Sequence, residues 1–239
     1  MPKRKTFFNW STGKDAALAL HYLLEDSEYS VEYLLTTINA HYNRVTMHGL
    51  RAEFLQQQLQ AIGTPGGVVG LPANPANDTY EQRMGEKIQQ LRKDGFEYAA
   101  FGDIFLEDLK QYREAQLLPL HVKPLFPLWK KDTRYLIQEF IDLGFKAVVV
   151  CGNAALLDES FAGREIDEDF IRDLPDNVDP CGENGEFHTF CYDAPYFHQP
   201  IPFTLGETVL KEYQHGEVKT GFWFRDLLPQ VIHDRTGQI

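Results

Sequence analysis

Residues 10–20 read WSTGKDAALAL, and the fold turns on how that stretch is read. An aromatic, strand-like run from Thr6 to Trp10 leads into Ser11, Thr12, Gly13, Lys14 and Asp15, and an Ala/Leu-rich segment with helical character follows to Glu25. A strand, a glycine-bearing turn and a helix are the parts of a phosphate site, because free amides and the positive end of the helix dipole meet at the first helical turn. The Walker A loop requires a glycine five residues before its second glycine and a hydroxyl after its lysine. Phe8 and Asp15 occupy those places, so that reading fails twice. In the turn as it stands, Gly13 lets the backbone come close, Ser11 and Thr12 add hydroxyl groups, and Lys14 carries charge suited to a phosphate. Asp15 is a candidate for holding Mg2+ or a simple first-turn carboxylate. The plainer alternative is a capped helix start, with Ser11 or Thr12 as the cap.

Outward from this turn, short apolar runs alternate with longer helix-period segments through about residue 152, the pattern of crossover units and a parallel sheet. Strands are expected at Thr6 to Trp10, Val31 to Ile38, Gly67 to Leu71, Tyr98 to Ile104, Val122 to Leu128 and Lys146 to Gly152. Continuous apolar runs such as AVVVCG suit strands covered on both faces. Leu50, Phe54, Leu55 and Leu59 recur at helical spacing, as do Leu136, Ile137, Phe140 and Ile141. Asp78 and Asp132 are the expected N-caps, and Gly95 and Gly144 the expected stops. The first helix is apolar nearly all round near its start and is expected to be buried. After Gly152 a short helical stretch gives way to a Gly-, Pro- and aromatic-rich region and then to the strand-like GFWF of the tail. The expected division is residues 1–152, an α/β nucleotide domain, and 153–239, a smaller mixed α+β domain.

Composition sets limits on partners. The 239 residues with 43% hydrophobic and 24% charged content can fold by burial alone. A formal net charge of -12 argues against a broad nucleic-acid or anionic-membrane surface. No apolar run has signal-peptide or membrane-spanning length, and three cysteines, Cys151, Cys181 and Cys191, fit no disulfide framework. A cytoplasmic location is expected.

S-T-G-K-D-A resembles the S-G-G-x-D-S loop of the N-type ATP pyrophosphatases, the adenine nucleotide alpha-hydrolase or PP-loop group, with Thr12 at the usual second glycine and Ala16 at the usual serine. Four further blocks extend the likeness over nearly the whole chain: FGDIFLEDLKQYREAQLLPLHVKPLFPLW, GFKAVVV, LLDESFAGREIDEDFI and GENGEFHTFCYDAPYF. Their order is similar to that of the diphthine-ammonia ligase family and its bacterial relatives. The resemblance implies a Rossmann-like HUP domain followed by a small domain whose glycine-rich segment faces the ATP site. It also implies use of ATP with Mg2+, release of AMP and pyrophosphate, and transfer of ammonia to a carboxylate acceptor, diphthine or a related group.

The residues themselves carry a parallel reading. Gly102 and Asp103 end the fourth strand, so Asp103 would emerge at the same sheet edge as Asp15 and share a metal or orient an amine; a strand-ending turn is the alternative. Thr37, near the end of the second strand, and His48, before the second helix, are candidate nucleotide contacts, with a solvent-facing histidine the alternative for His48. Gly182, Glu183, Gly185, Glu186, His188 and Thr189 place two carboxylates and an imidazole in a glycine-bearing turn that leads into a strand. Ammonium must lose a proton before it attacks, and Glu186 or His188 could take it. Asp158 and Arg164 are candidates for gripping a carboxylate or phosphate, or for holding a loop. Cys181 and Cys191 flank His188 without any C-x-x-C pair, which is not a zinc signature. The expected function is an ATP-dependent amide-forming ligase. The alternatives are a PP-loop tRNA-modifying enzyme, which would need a reactive cysteine and a basic RNA face, and an ATP-binding sensor without turnover. A homo-oligomer built through the GFWF tail is a further open reading.

Overall fold

A computed structural model of the chain describes residues 2–46, 49–73, 76–215 and 218–230. Its N-terminal part alternates strands and helices: β1 (Arg4–Asn9), α1 (Lys14–Glu25), β2 (Tyr29–Asn39), β3 (Arg44–Val45), α2 (Ala52–Ile62), β4 (Gly66–Leu71), α3 (Asn77–Lys93), β5 (Tyr98–Ala100), α4 (Glu107–Leu117) and β6 (Lys123–Leu125). β1 pairs in parallel with β2 on one side and β5 on the other, β4 extends the sheet beyond β2, and β6 extends it beyond β5. The two-residue β3 alone runs antiparallel, against the end of β2. The chain therefore winds to one side of β1 and then to the other. In such a sheet the crevice for a ligand opens beyond the carboxyl ends of the two strands at the reversal, here β1 and β5.

Strand periodicity explains how β1 holds this sheet in the core. Neighbouring side chains point to opposite faces, so Phe7 and Phe8 enter different clusters. Phe7 packs with Leu35, Val69, Ile88, Leu91 and Phe96, while Phe8 joins α1, α2 and the rest of the chain. Covering both faces is what makes the strands continuous apolar runs. The first helix is buried as its composition implies, with Ala16 through Leu20 and Leu23 enclosed.

The remaining elements are α5 (Thr133–Asp142), β7 (Lys146–Asn153), α6 (Glu168–Asp173), β8 (Phe187–Asp193), β9 (Phe203–His215) and β10 (Val218–Pro229). Four of them form a separate antiparallel sheet in the order β8-β7-β10-β9. The sixth expected strand thus forms, but it does not extend the parallel sheet: its neighbours are β8 and β10, both antiparallel to it. Its run of apolar residues marks burial on two faces and says nothing of partner or direction, which is why it read as parallel. A division after residue 152 falls at the end of β7, whereas the change of sheet comes between β6 and β7. GFWF forms a strand, as its aromatics suggest, within β10, which is paired on both sides over Phe222 to Phe224.

Local signals hold elsewhere. Asp132 caps α5 by accepting from the Tyr135 amide at 3.0 Å, and Gly95 and Gly144 take the left-handed conformations that end α3 and α5. Asp78 is not a cap; it lies in the first turn of α3 behind Ala76, where a carboxylate still favours the dipole. The strand expected from Tyr98 to Ile104 stops at Ala100, leaving Gly102 and Asp103 in the loop beyond.

The two sheets share one core. Phe54 of α2 meets Phe190 of β8 with ring centroids 5.1 Å apart, and Ala147 to Val150 of β7 belong to the same cluster as Phe8 and α1. Arg44 and Arg51 add a polar tie to Asp226 of β10, with Arg51 Nη2 2.6 Å from Oδ2. Phe190→Ala is expected to destabilise the protein by about 3–5 kcal/mol through the cavity it leaves. Urea unfolding followed by fluorescence and by circular dichroism should show one coincident transition for the variant, since neither sheet keeps a complete core without the other.

Candidate functional site

The turn after β1 is held from several directions. The Trp10 amide donates to the Leu35 carbonyl at 2.8 Å, and Thr36 Oγ1 donates to the Trp10 carbonyl at 2.8 Å. Thr12 then turns with φ 77, a left-handed conformation. Its carbonyl accepts from the Cys191 amide at 2.9 Å and from Gln58 Nε2 at 2.9 Å. Gly13 is the N-cap of α1 and has no side chain with which to cap it. Neither Ser11 nor Thr12 takes that role; Ser11 Oγ only accepts from Gly13 at 3.4 Å. The Lys14 amide is instead bonded to Thr189 Oγ1 of β8 at 3.0 Å. An N-cap hydroxyl normally sits within three residues of the amide it caps, and here it arrives from the other sheet.

Lys14 departs from its expected pose. Its side chain is 3% exposed, and Nζ donates to both oxygens of Asp15 at 2.8 Å and to the Cys181 carbonyl. Burial works against its charge, but Asp15 and the neighbouring Cys181 and Glu183 outweigh burial and raise its pKa. The lysine therefore stays charged, and its ammonium joins the turn to the loop before β8.

Gly102 is fixed by contact rather than by a turn. A Cβ there would lie 2.9 Å from the Ala16 nitrogen and 3.0 Å from the Asp15 carbonyl carbon, so glycine lets the loop after β5 lie against the first turn of α1. Asp103 does emerge at this edge, where Arg113 Nη2 donates to Oδ1 at 3.0 Å and Nε lies 2.6 Å from Oδ2. It is a paired carboxylate.

The glycine-bearing segment crosses the crevice. Glu183 Oε1 accepts from the Ile104 amide at 2.7 Å and from Phe105 at 3.3 Å, just beyond β5. Burial, with Asp15 and Asp103 adding to it, pushes its pKa to about 7. Glu186 Oε1 accepts from the Asp179 amide and Asn184 Nδ2, each at 3.0 Å, and Oε2 is buried with no hydrogen-bond partner among the described residues. His188 is pushed down to about 4 by burial and by Lys14, so it is neutral near pH 7. Gly182 and Gly185 adopt φ 69 and 85; a Cβ on Gly182 would meet the Phe187 ring and carbonyl oxygen at 2.9 Å.

Two residues that the sequence reading passed over organise these groups. Asp179 Oδ1 accepts from the Cys181 and Glu183 amides at 2.9 and 3.2 Å, and Oδ2 from Thr133 Oγ1 at 2.7 Å. The dipeptide Asp179-Pro180 was a legible turn signal. Gln58 is fully buried on the face of α2 that carries Phe54 and Leu55, and an amide on an apolar stripe is itself a signal.

Other expected site residues lie apart. Asp158 bonds Ser160 in its own turn, and Arg164 pairs with Asp173 at 2.9 Å over the rings of Phe161 and Phe170, so both hold loops. Thr37 Oγ1 shares a 2.6 Å hydrogen bond with Thr46 Oγ1. His48 lies outside the described residues. Among the described residues no three His, Cys, Asp or Glu side chains gather as a metal would require, and Asp15 and Asp103 each already face a cation. A protein-held Mg2+ centre does not fit this donor set. No described helix is long and apolar enough to cross a membrane.

Comparison with known proteins bears on these features. Residues 4–117 match the family described as diphthamide synthase N-terminal domain, and residues 132–219 match the diphthamide synthase C-terminal domain. The chain belongs to the diphthamide synthase family. The two matches cover the parallel sheet's first five strands and β7, β8 and β9 of the antiparallel sheet, stopping two residues into β10, and they place the chain with the diphthine-ammonia ligases of the PP-loop superfamily. Proteins named diphthine--ammonia ligase are similar to it: that of Danio rerio is 30% identical over 128 residues, 51% of this chain and 49% of that protein. Those of Bos taurus and Homo sapiens are each 28% identical over 144 and 145 residues, covering 54% and 55% of this chain and 54% of each relative. The chain spans about half the length of the curated relatives it matches. A solved structure titled as a predicted subunit of tRNA methyltransferase from Methanocaldococcus jannaschii aligns with a TM-score of 0.43 at 12% identity, over 80% of this chain and 97% of that one, a likeness too loose to bear on function.

Glu183 offers a direct check of the site's electrostatics. Its folded pKa of about 7 stands above the ordinary 4.5, so between those values the folded protein keeps a proton that the unfolded chain has released. Stability from this group is therefore present below about pH 4.5 and declines as pH rises toward 7. Thermal melts of Glu183→Gln and the parent at about pH 5 and 7.5 should show the variant gaining relative stability at the higher pH. Parallel shifts of the two proteins would remove Glu183 as the titrating group.

Proposed function

We propose that this diphthamide synthase family member is an ATP-dependent amide-forming ligase. The observation that carries the reading is the meeting of Glu183, from the segment before β8, with the loop after β5 at the crevice where α1 begins. In the proposed reaction an acceptor carboxylate attacks the α-phosphorus of ATP, an acyl-adenylate forms and pyrophosphate leaves. Ammonia then attacks the acyl carbon, the amide forms and AMP leaves with the bond to phosphorus intact. Backbone amides of the first turn of α1 would hold the pyrophosphate end, with the helix dipole favouring the charge that builds there. Mg2+ enters as the counter-ion of the triphosphate, not as a resident of the protein.

Glu183 is the proposed proton acceptor from ammonium, in place of Glu186 or His188. Glu186 is 3% exposed with its second oxygen fully buried, out of reach of an incoming ammonium, and His188 is too weak a base at a pKa of about 4. A carboxylate near 7 matches the operating pH, where general-base catalysis is most effective. The acceptor is proposed to be diphthine or a related carboxylate.

The tRNA-thiolation alternative finds no support in the thiols. Cys151, Cys181 and Cys191 are all buried, and burial raises each of them, Cys151 to about 12. A persulfide carrier needs the opposite environment. The sensor alternative draws on Lys14, whose ammonium is already engaged by Asp15 and Cys181.

Incubation with labelled ATP, ammonium and a carboxylate acceptor should release AMP and pyrophosphate together; ATP bound without turnover would favour the sensor. The ammonia-dependent rate should rise with pH through about 7. Glu183→Gln should lower it about a hundredfold or more, while acceptor-dependent exchange of pyrophosphate into ATP persists, because that half-reaction needs no base for ammonium.

A further inference from the structure

Thr12 stands in a conformation that a residue branched at Cβ avoids. At φ 77 its side chain crowds its own backbone, whereas glycine would be unstrained. The conformation is imposed from outside the turn. Thr12 is 0% exposed, and its carbonyl is fixed between the Cys191 amide and Gln58 Nε2, each at 2.9 Å. The same Nε2 donates to the Cys191 carbonyl at 2.6 Å, and Gln58 Oε1 accepts from the Trp10 indole at 2.8 Å.

Gln58 is also 0% exposed, on a helical face shared with Phe54 and Leu55. A buried amide is costly unless its polar groups are paired, and here both donor bonds end on Thr12 and Cys191 while the acceptor ends on Trp10. If the peptide after Thr12 rotated toward an ordinary conformation, its carbonyl would swing away. Gln58 and Cys191, both fully buried, would then each lose a partner. The amide and the turn thus hold each other in one arrangement, and that arrangement aims the peptide that leads into Gly13 and α1.

We propose that Gln58 is a positioning residue for the nucleotide turn: its side-chain amide keeps Thr12 left-handed, so that a threonine does what the backbone alone would ask of glycine. The proposal rests on the reading that the Ser11 to Asp15 turn binds ATP, and it adds a fully buried residue 46 positions away from Thr12.

The test uses the full chain with Gln58→Met, which keeps the shape and removes the amide, with Thr12→Gly, and with both. ATP affinity is measured by calorimetry well below the melting temperature, and the melting temperature separately. Gln58→Met should weaken ATP binding about tenfold, the size of the left-handed penalty for a residue other than glycine, and lower the melting temperature. Thr12→Gly serves as the reference background, with its own affinity measured separately. In the double variant affinity should lie within about threefold of that of Thr12→Gly while the melting temperature stays low, because glycine needs no clamp yet the Trp10 and Cys191 groups remain unpaired. Parental affinity in Gln58→Met, or an equal loss from Gln58→Met in the parent and in the Thr12→Gly background, would leave Gln58 a structural residue only and overturn the proposal. A parent protein that binds no ATP overturns the ligase reading itself, and this proposal with it.

Discussion

The bond from the Lys14 amide to Thr189 Oγ1, with its companion from the Cys191 amide to the Thr12 carbonyl, is the joint on which the rest of the molecule depends. A helix start leaves amides unsatisfied, and most helices meet that need with a nearby hydroxyl or carboxylate. Here Gly13 cannot, and a strand from the other sheet supplies the hydroxyl. The consequence is that the turn after β1 has its shape only when β8 is docked. The hydrophobic core then serves the joint: Phe54 against Phe190 sets β8 at the distance where its hydroxyl and amide can reach.

A second consequence concerns charge. Docking β8 draws Asp179, Cys181 and Glu183 over Lys14 and Asp15, so five ionisable side chains and the Cys181 carbonyl meet in a largely buried crevice. Low polarity makes each of them depend on the others. Lys14 remains charged because Asp15 is beside it. Glu183, held by two amides but pressed by burial and by like charges, is brought to the middle of the physiological range. A carboxylate shifted toward neutrality is therefore a product of assembly, not of any one loop.

Glycines and paired acids mark where close approach was required. Gly102 lets the strand-end loop touch the backbone of α1, and Gly182 makes room for Phe187. Asp103 and Arg164, which as isolated residues could bind a ligand, are instead spent on Arg113 and Asp173. A charged residue in a loop is most often claimed by the nearest opposite charge, and only the surroundings tell which.

The sequence by itself determined the parallel sheet around β1, the buried first helix, the caps and stops at Asp132, Gly95 and Gly144, and the placing of the turn at Ser11 to Asp15. All of these follow from periodicity, turn chemistry and propensity within a few residues of one another, which is information a linear reading contains. Only the tertiary structure decided that β7 joins the antiparallel sheet, that Lys14 turns back to Asp15 and Cys181, that Thr189 caps α1, and that burial pushes Glu183 up to about 7 and His188 down to about 4. Each of these depends on partners up to 175 residues away. Strand partner, burial and the company of other charges are properties of the packed chain, and no local spacing encodes them.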